Sequence, residues 1–113
     1  MSEIILGIES TAHTAGVGLI TSDGEILSNR RSMYIPEEGG IHPREASRHH
    51  SEMFPQLFQN AFDESGLTPS NISLVSYARG PGLGPCLRTG ATAARAFAYA
   101  HDIPLIGVNH CVA

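Results

Sequence analysis

The chain has 113 residues, 42% of them apolar and 16% charged, with a net charge of −4 when histidine is neutral. That is enough for one domain with a modest core, and too apolar for a disordered or fibrous chain. All 7 basic residues are arginine, and the acidic balance excludes a basic footprint over the whole surface while leaving room for a local patch.

The N-terminus, MSEIILGIES, has no basic region before its apolar run, so it does not read as a secretory signal. Ile4 to Glu9 is a short β-branched run suited to a strand buried on both faces. Ala15 to Thr21 (AGVGLIT) is a second strand, and Ser22-Asp23-Gly24 is a hairpin turn. Glu25 to about Ser32 is a third, and its Asn29-Arg30-Arg31 end carries the charge expected of an edge. Pro36 to Pro43 (PEEGGIHP) is a loop. A helix starts near Pro43 or Arg44, where proline suits the first turn. Ala46, His50, Met53, Phe54, Leu57, Phe58, Ala61 and Phe62 form its apolar face. Pro55 predicts a kink or two successive helices, and Ser65-Gly66 a left-handed end.

Asn71 to Arg79 is a fourth strand, Gly80 to Pro85 (GPGLGP) a tight loop, and Cys86 to about His101 an alanine-rich helix. Asp102-Ile103-Pro104 breaks that helix, and Leu105 to Val108 is a fifth strand. The longest weakly polar stretch, Thr89 to Ala100, is interrupted by Arg95 and falls well short of the roughly 20 residues of a membrane span. Cys86 and Cys111 lie in apolar segments and read as reduced thiols of a cytosolic protein.

The order β-β-β-α-β-α-β is that of an α/β, ribonuclease-H-like sheet, with strands arranged third, second, first, fourth, fifth. Right-handed crossovers that move in one direction across a sheet place both helices on the same face. The opposite face is then left uncovered, so the chain is expected to be the front part of a larger protein.

Three segments carry candidate chemistry. Ile8 to Gly18 puts an acid and a hydroxyl-rich turn after the first strand, a place where N–H and hydroxyl groups can meet phosphate. The glycine-rich loop at Gly80 to Pro85 opens a helix, but lacks the Lys-Ser/Thr of a P-loop. Asn109-His110-Cys111 follows the fifth strand, at the sheet end where ligands gather in open α/β folds. His42, His49 and His50, around the helix start, do not have the spacing of a closed metal site and suit solvated or capping roles.

IESTAHT, GGIHPREASRHH, YARGPGLGPCLRTGATAARA and PLIGVNHC stand in this order along the chain. On these four motifs the chain resembles the N-terminal part of the universal tRNA threonylcarbamoyltransferase (TsaD-like) family, whose archaeal and eukaryotic members are the catalytic subunit of the KEOPS complex. His13-Thr14 stands where bacterial members carry an acidic pair.

The resemblance implies the actin/Hsp70/sugar-kinase (ASKHA) fold, with residues 1–113 forming the front of the first of two ribonuclease-H-like lobes. It implies ATP or threonylcarbamoyl-AMP as the nucleotide ligand and tRNA as the acceptor, in a cytoplasmic setting. Glu9, Ser10, Thr11 and His13 would correspond to the first phosphate-facing turn. His110 would be the first histidine of a His-x-x-x-His pair holding one iron or zinc ion, with the other ligands and the catalytic residues outside this chain. The family was formerly described as an endopeptidase. Zincin catalysis needs a glutamate beside the first histidine, and here Cys111 follows His110.

The implied partners are the KEOPS kinase subunit and the small dimerising KEOPS subunit, and a chain this short could itself act as a binding module. Because alanine and glycine occur all round the second helix, Ala91, Ala94 and Ala98 are expected to face such a helical partner. The alternative is that these small residues only let the chain's own two helices pack together.

Overall fold

The computed structural model describes residues 3–10, 14–34, 43–80, 82 and 84–109. The elements follow the expected order: β1 (Ile4–Ser10), β2 (Thr14–Thr21), β3 (Ile26–Met33), α1 (Pro43–Ser65), a 3₁₀ turn (Pro69–Asn71), β4 (Ile72–Gly80), α2 (Gly84–His101) and β5 (Leu105–Asn109). The sheet runs β3-β2-β1-β4-β5. Antiparallel pairing joins β1 to β2 and β2 to β3, while β1–β4 and β4–β5 are parallel.

Alternation along the central strands sorts their side chains. Leu6, Ile8 and Ser10 of β1, Ala15, Val17 and Leu19 of β2, and Val75 of β4 are all buried, and they form the floor on which both helices sit. The opposite face carries Glu9, Leu74, Ser76 and Ala78, all only partly buried, and Ile106, which is exposed. Both helices share one face, as right-handed crossovers require. Among the described residues, no helix is long and apolar enough to cross a membrane.

α1 is a single helix despite Pro55. Pro55 and Ser51, whose carbonyl loses its partner, both lie on the exposed side, where water can satisfy that carbonyl. Gly66 ends α1 with φ +73, its N–H donating to the Phe62 carbonyl at 2.9 Å. α2 starts two residues before the expected Cys86, because Pro85 is accommodated in its first turn. It ends on Asp102 at φ 54, and the Ile103 N–H reaches back to the Ala98 carbonyl at 2.9 Å. Aspartate here takes the left-handed position usually held by glycine.

His50 departs from the expected solvated or capping role, since it is fully buried. Its Nδ1 lies 2.9 Å from Nδ1 of His49, whose Nε2 lies 3.1 Å from Ser32 Oγ. Each of the two contacts needs one donor and one acceptor, and together they tie α1 to β3. Arg30 of β3 and Glu64 of α1 add an ion pair at the other end of the helix. His42 lies outside the described residues.

The residues of α2 buried against the sheet are Cys86, Gly90, Ala94 and Ala98, each four after the last. At Gly90 a Cβ would fall 2.8 Å from Cβ of Ser10, closer than side chains tolerate. Gly90→Val is therefore expected to lower stability by ~1–3 kcal/mol, through overpacking against a strand that cannot retreat. Equilibrium urea unfolding would show it, and Ser10→Gly should recover part of the loss in the double variant.

Candidate functional site

The carboxyl ends of the parallel strands β1, β4 and β5 lie side by side, in register Ile8 with Tyr77 and Gly80 with Asn109. In open α/β sheets this end is where ligands collect. Glu9 of β1 pairs across to Gly16 of β2, and Ser10 pairs with Ala15. Consecutive strand residues point to opposite faces, and these two do so here.

Glu9 lines a shallow hollow of about 340 Å³ on the uncovered face, together with Gly7, Gly16, Gly18, Arg31 and Ser76. Three glycines make its floor. A Cβ at Gly16 would lie 3.3 Å from Arg31 Cγ and 3.8 Å from Glu9 Cβ, so the Arg31 stem and the Glu9 side chain flank a strip of bare backbone. Such a strip lets a flat ligand come close to the sheet.

Ser10 is not brought into this hollow. It is sealed beneath Gly90 of α2 at 1% exposure, and its Oγ has no hydrogen-bond partner among the described residues. Of the expected nucleotide-facing residues, the structure therefore sets Glu9 in an open hollow and Ser10 in a packing position; Thr11 and His13 lie outside the described residues. His110 does too, one residue beyond the end of β5. Among the described residues, no group of three or more His, Cys, Asp and Glu side chains could hold a metal ion.

The expectation that Ala94 and Ala98 face a partner is not met. They are 0% and 4% exposed and belong to the core against the sheet. Ala91 is half-buried on the β5 flank of α2, beside Tyr77 and Arg79. The reason is packing: the small residues let α2 approach β1 and β4, while contact between the helices runs through Phe58 and Phe97, stacked at 5.3 Å.

A second surface feature was not foreseen from the sequence. Between the outer sides of α1 and α2 runs a groove of about 580 Å³, lined by Ser51, Phe54 and Phe58 on one side and by Ala93, Ala96 and Phe97 on the other. At one end the hydroxyls of Ser47 and Thr89 share a hydrogen bond of 2.6 Å. The only sequence signal for the groove is the set of aromatic residues on α1, which exceeds what one buried stripe requires.

Residues 25–113 match the family model described as tRNA N6-adenosine threonylcarbamoyltransferase. A protein of that name from Ignicoccus hospitalis is 55% identical over 96% of this chain and 33% of its own length. One from Methanopyrus kandleri is 57% identical over 97% of this chain and 32% of its own length. A probable bifunctional tRNA threonylcarbamoyladenosine biosynthesis protein from Methanothermobacter thermautotrophicus is 51% identical over 96% of this chain and 20% of its own length. The chain thus spans a third or less of these curated relatives. Among solved structures, YeaZ from Pseudomonas aeruginosa superposes with a TM-score of 0.76 at 18% identity, over 95% of this chain and 44% of that one. RuvC from Thermus thermophilus gives a TM-score of 0.57 at 13% identity, over 96% of this chain and 66% of its own. At such identities the likeness is one of fold, and it bears out the ribonuclease-H-like arrangement.

Cys86, at the start of α2, is fully buried, and burial pushes its thiol up from the ordinary value of 9.0. The folded state then holds a proton that the unfolded chain releases, so stability is unaffected below about pH 9 and falls as pH rises above it. In a Cys111→Ser background, native protein should resist Ellman's reagent at pH 8 and react only on unfolding. Fast native labelling would contradict the burial.

Proposed function

The chain belongs to the tRNA N6-adenosine threonylcarbamoyltransferase (TsaD) family, and on that premise we propose that it supplies the front of the first lobe of such an enzyme. The observation that carries this reading is the family match over residues 25–113, on a sheet of order β3-β2-β1-β4-β5 whose strand ends form an open hollow. In the reaction, N6 of the adenosine 3′ to the tRNA anticodon attacks the carbamoyl carbonyl of threonylcarbamoyl-AMP. A new C–N bond forms, the bond from that carbonyl to the phosphate oxygen breaks, and AMP leaves as the amine loses a proton.

The glycine floor at Gly7, Gly16 and Gly18 gives the adenylate room against bare backbone. Glu9, which when ionised only accepts hydrogen bonds, suits a ribose hydroxyl or an amine rather than a phosphate. Thr11 and His13 are the phosphate-facing donors in this reading. His110 would contribute one imidazole to the iron or zinc that the family resemblance implies, and such a metal would polarise carbonyl and phosphate oxygens. One imidazole is not a site, and the described residues complete none.

The test is a transfer assay on the full-length protein with threonylcarbamoyl-AMP and an unmodified tRNA transcript, reading modified adenosine by mass spectrometry. Peptidase activity without adenosine modification would overturn the transferase reading. His110→Ala should lower metal content per subunit and reduce transfer at least tenfold, with circular dichroism unchanged. Wild-type metal content in that variant would remove His110 from the ligand set.

The groove between α1 and α2 favours a second role for the same chain, as the docking surface for a helix of the small dimerising KEOPS subunit. Its floor of Phe54, Phe58, Ala93 and Phe97 accepts an apolar helical stripe. Ala96, exposed on its rim, is the position to alter. Ala96→Glu should cut co-purification of that subunit at least tenfold while leaving the melting temperature within a few degrees. Undiminished co-purification would place the subunit elsewhere.

A further inference from the structure

We propose that the flank of α2 facing β5 is a contact site for the phosphate backbone of an unpaired or looped RNA segment; this rests on the transferase reading and adds a surface to it. A hollow of about 380 Å³ on this flank is lined by Arg79, Arg88 and Arg95, with Tyr77, Ala91 and Thr92 between them. Three of the chain's 7 basic residues thus converge in one place on a protein of net charge −4. All three are exposed. Among the described residues no carboxylate lines the hollow, and the ion pairs involve Arg30 and Arg48 instead.

The arrangement is built, not incidental. A Cβ at Gly107 of β5 would lie 3.1 Å from the Tyr77 hydroxyl oxygen and 3.2 Å from Arg79 Cδ. Glycine at that position is what allows both side chains to lie across the edge strand. Arg88 folds back over the first turn of α2, its Nη1 3.4 Å from where a Cβ on Gly84 would stand. A guanidinium there adds to the positive end of the helix dipole rather than offsetting it. Two cationic terms therefore reinforce each other with no carboxylate among the described residues of the hollow, a cost that an external anion relieves.

Spacing selects the anion. Arg88 and Arg95 are two turns apart, or about 10 Å along the helix, too far to close on one phosphate and suited to successive phosphates of a strand. Guanidinium forks bind phosphate oxygens in pairs. One turn beyond Arg95, Tyr99 is 93% exposed, a ring on which an unstacked base can lie. The acid on this side, Asp102, lines the neighbouring hollow, which Arg95 and Tyr99 also border, and not the hollow in which the three arginines meet. Arginines leading to an exposed aromatic match a nucleic-acid strand better than an acidic helix, which would leave the Tyr99 ring unused.

The test uses the full-length protein and an unmodified tRNA transcript, with affinity measured by fluorescence anisotropy across a salt series. Arg79→Gln/Arg95→Gln should weaken binding about tenfold near 0.1 M salt and reduce the slope of log affinity against log salt by about 1.4, at about 0.7 per lost phosphate contact. Arg44→Gln/Arg48→Gln removes the same charge from α1 and should change the slope by less than half as much. Tyr99→Ala should weaken binding about fivefold or more with the slope unchanged. In the transfer assay, the Arg79/Arg95 variant should show a raised KM for tRNA and a kcat near wild type. An unchanged slope and KM, an equal effect from the Arg44/Arg48 variant, or a loss appearing only in capture of a protein partner would each overturn the site while leaving the transferase reading standing. A wild-type protein that neither binds nor modifies tRNA would overturn both.

Discussion

At Gly90, the backbone of α2 comes so close to β1 that no side chain fits between them, and the placement of the other functional elements follows from this contact. It holds the helix directly over Ser10, the last residue of the central strand. Ala94 and Ala98 continue the same stripe over the sheet, each small enough to keep the helix at that distance. A larger residue at any of these positions would lift α2 away from β1 and β4 and open the core that Leu6, Ile8 and Val75 fill.

Because the small residues face inward, the larger ones face outward. Phe97 turns toward α1 and stacks on Phe58 and Phe62, which shapes the groove between the helices. Arg88, Arg95 and Tyr99 are left on the exposed sides. One helix thus has three environments: a sheet-facing stripe without bulk, an aromatic seam with α1, and a cationic flank beside β5. The groove and the arginine flank meet only at Arg88 and Thr92, which border both, so a helical partner in the groove and a nucleic-acid strand on the arginines would share few residues.

The sheet separates functions in the same way. Glu9 and Ser10 are neighbours in sequence and opposites in space, one in the glycine-floored hollow and the other under the helix. The hollow exists because Gly7, Gly16 and Gly18 meet on the uncovered face of β1 and β2, in the register that pairs Gly7 with Gly18. A slip of one residue would turn these glycines toward the helices and Val17 toward the hollow, so register is essential to the site.

Much of this was legible in the sequence. Strand and helix types, their order, the mixed sheet and the shared face of the two helices follow from apolar periodicity, turn residues and crossover handedness, because those signals are local or topological. The family followed from four ordered motifs. What the sequence left undecided was the orientation of α2. A helix with alanine and glycine on every side has no amphipathic signature, so the sequence pointed Ala94 and Ala98 at a helical partner, and only the steric contact at Gly90 assigns them to the sheet-facing stripe. His50 was similarly ambiguous: its position on the apolar face of α1 was visible, but the Ser32–His49–His50 chain that makes its burial tolerable joins residues from two elements. The arginine hollow likewise needs β4 beside α2 and a glycine on β5 beneath them. Chain pattern determined which elements form; long-range packing decided which face of each was buried and which was left for ligands.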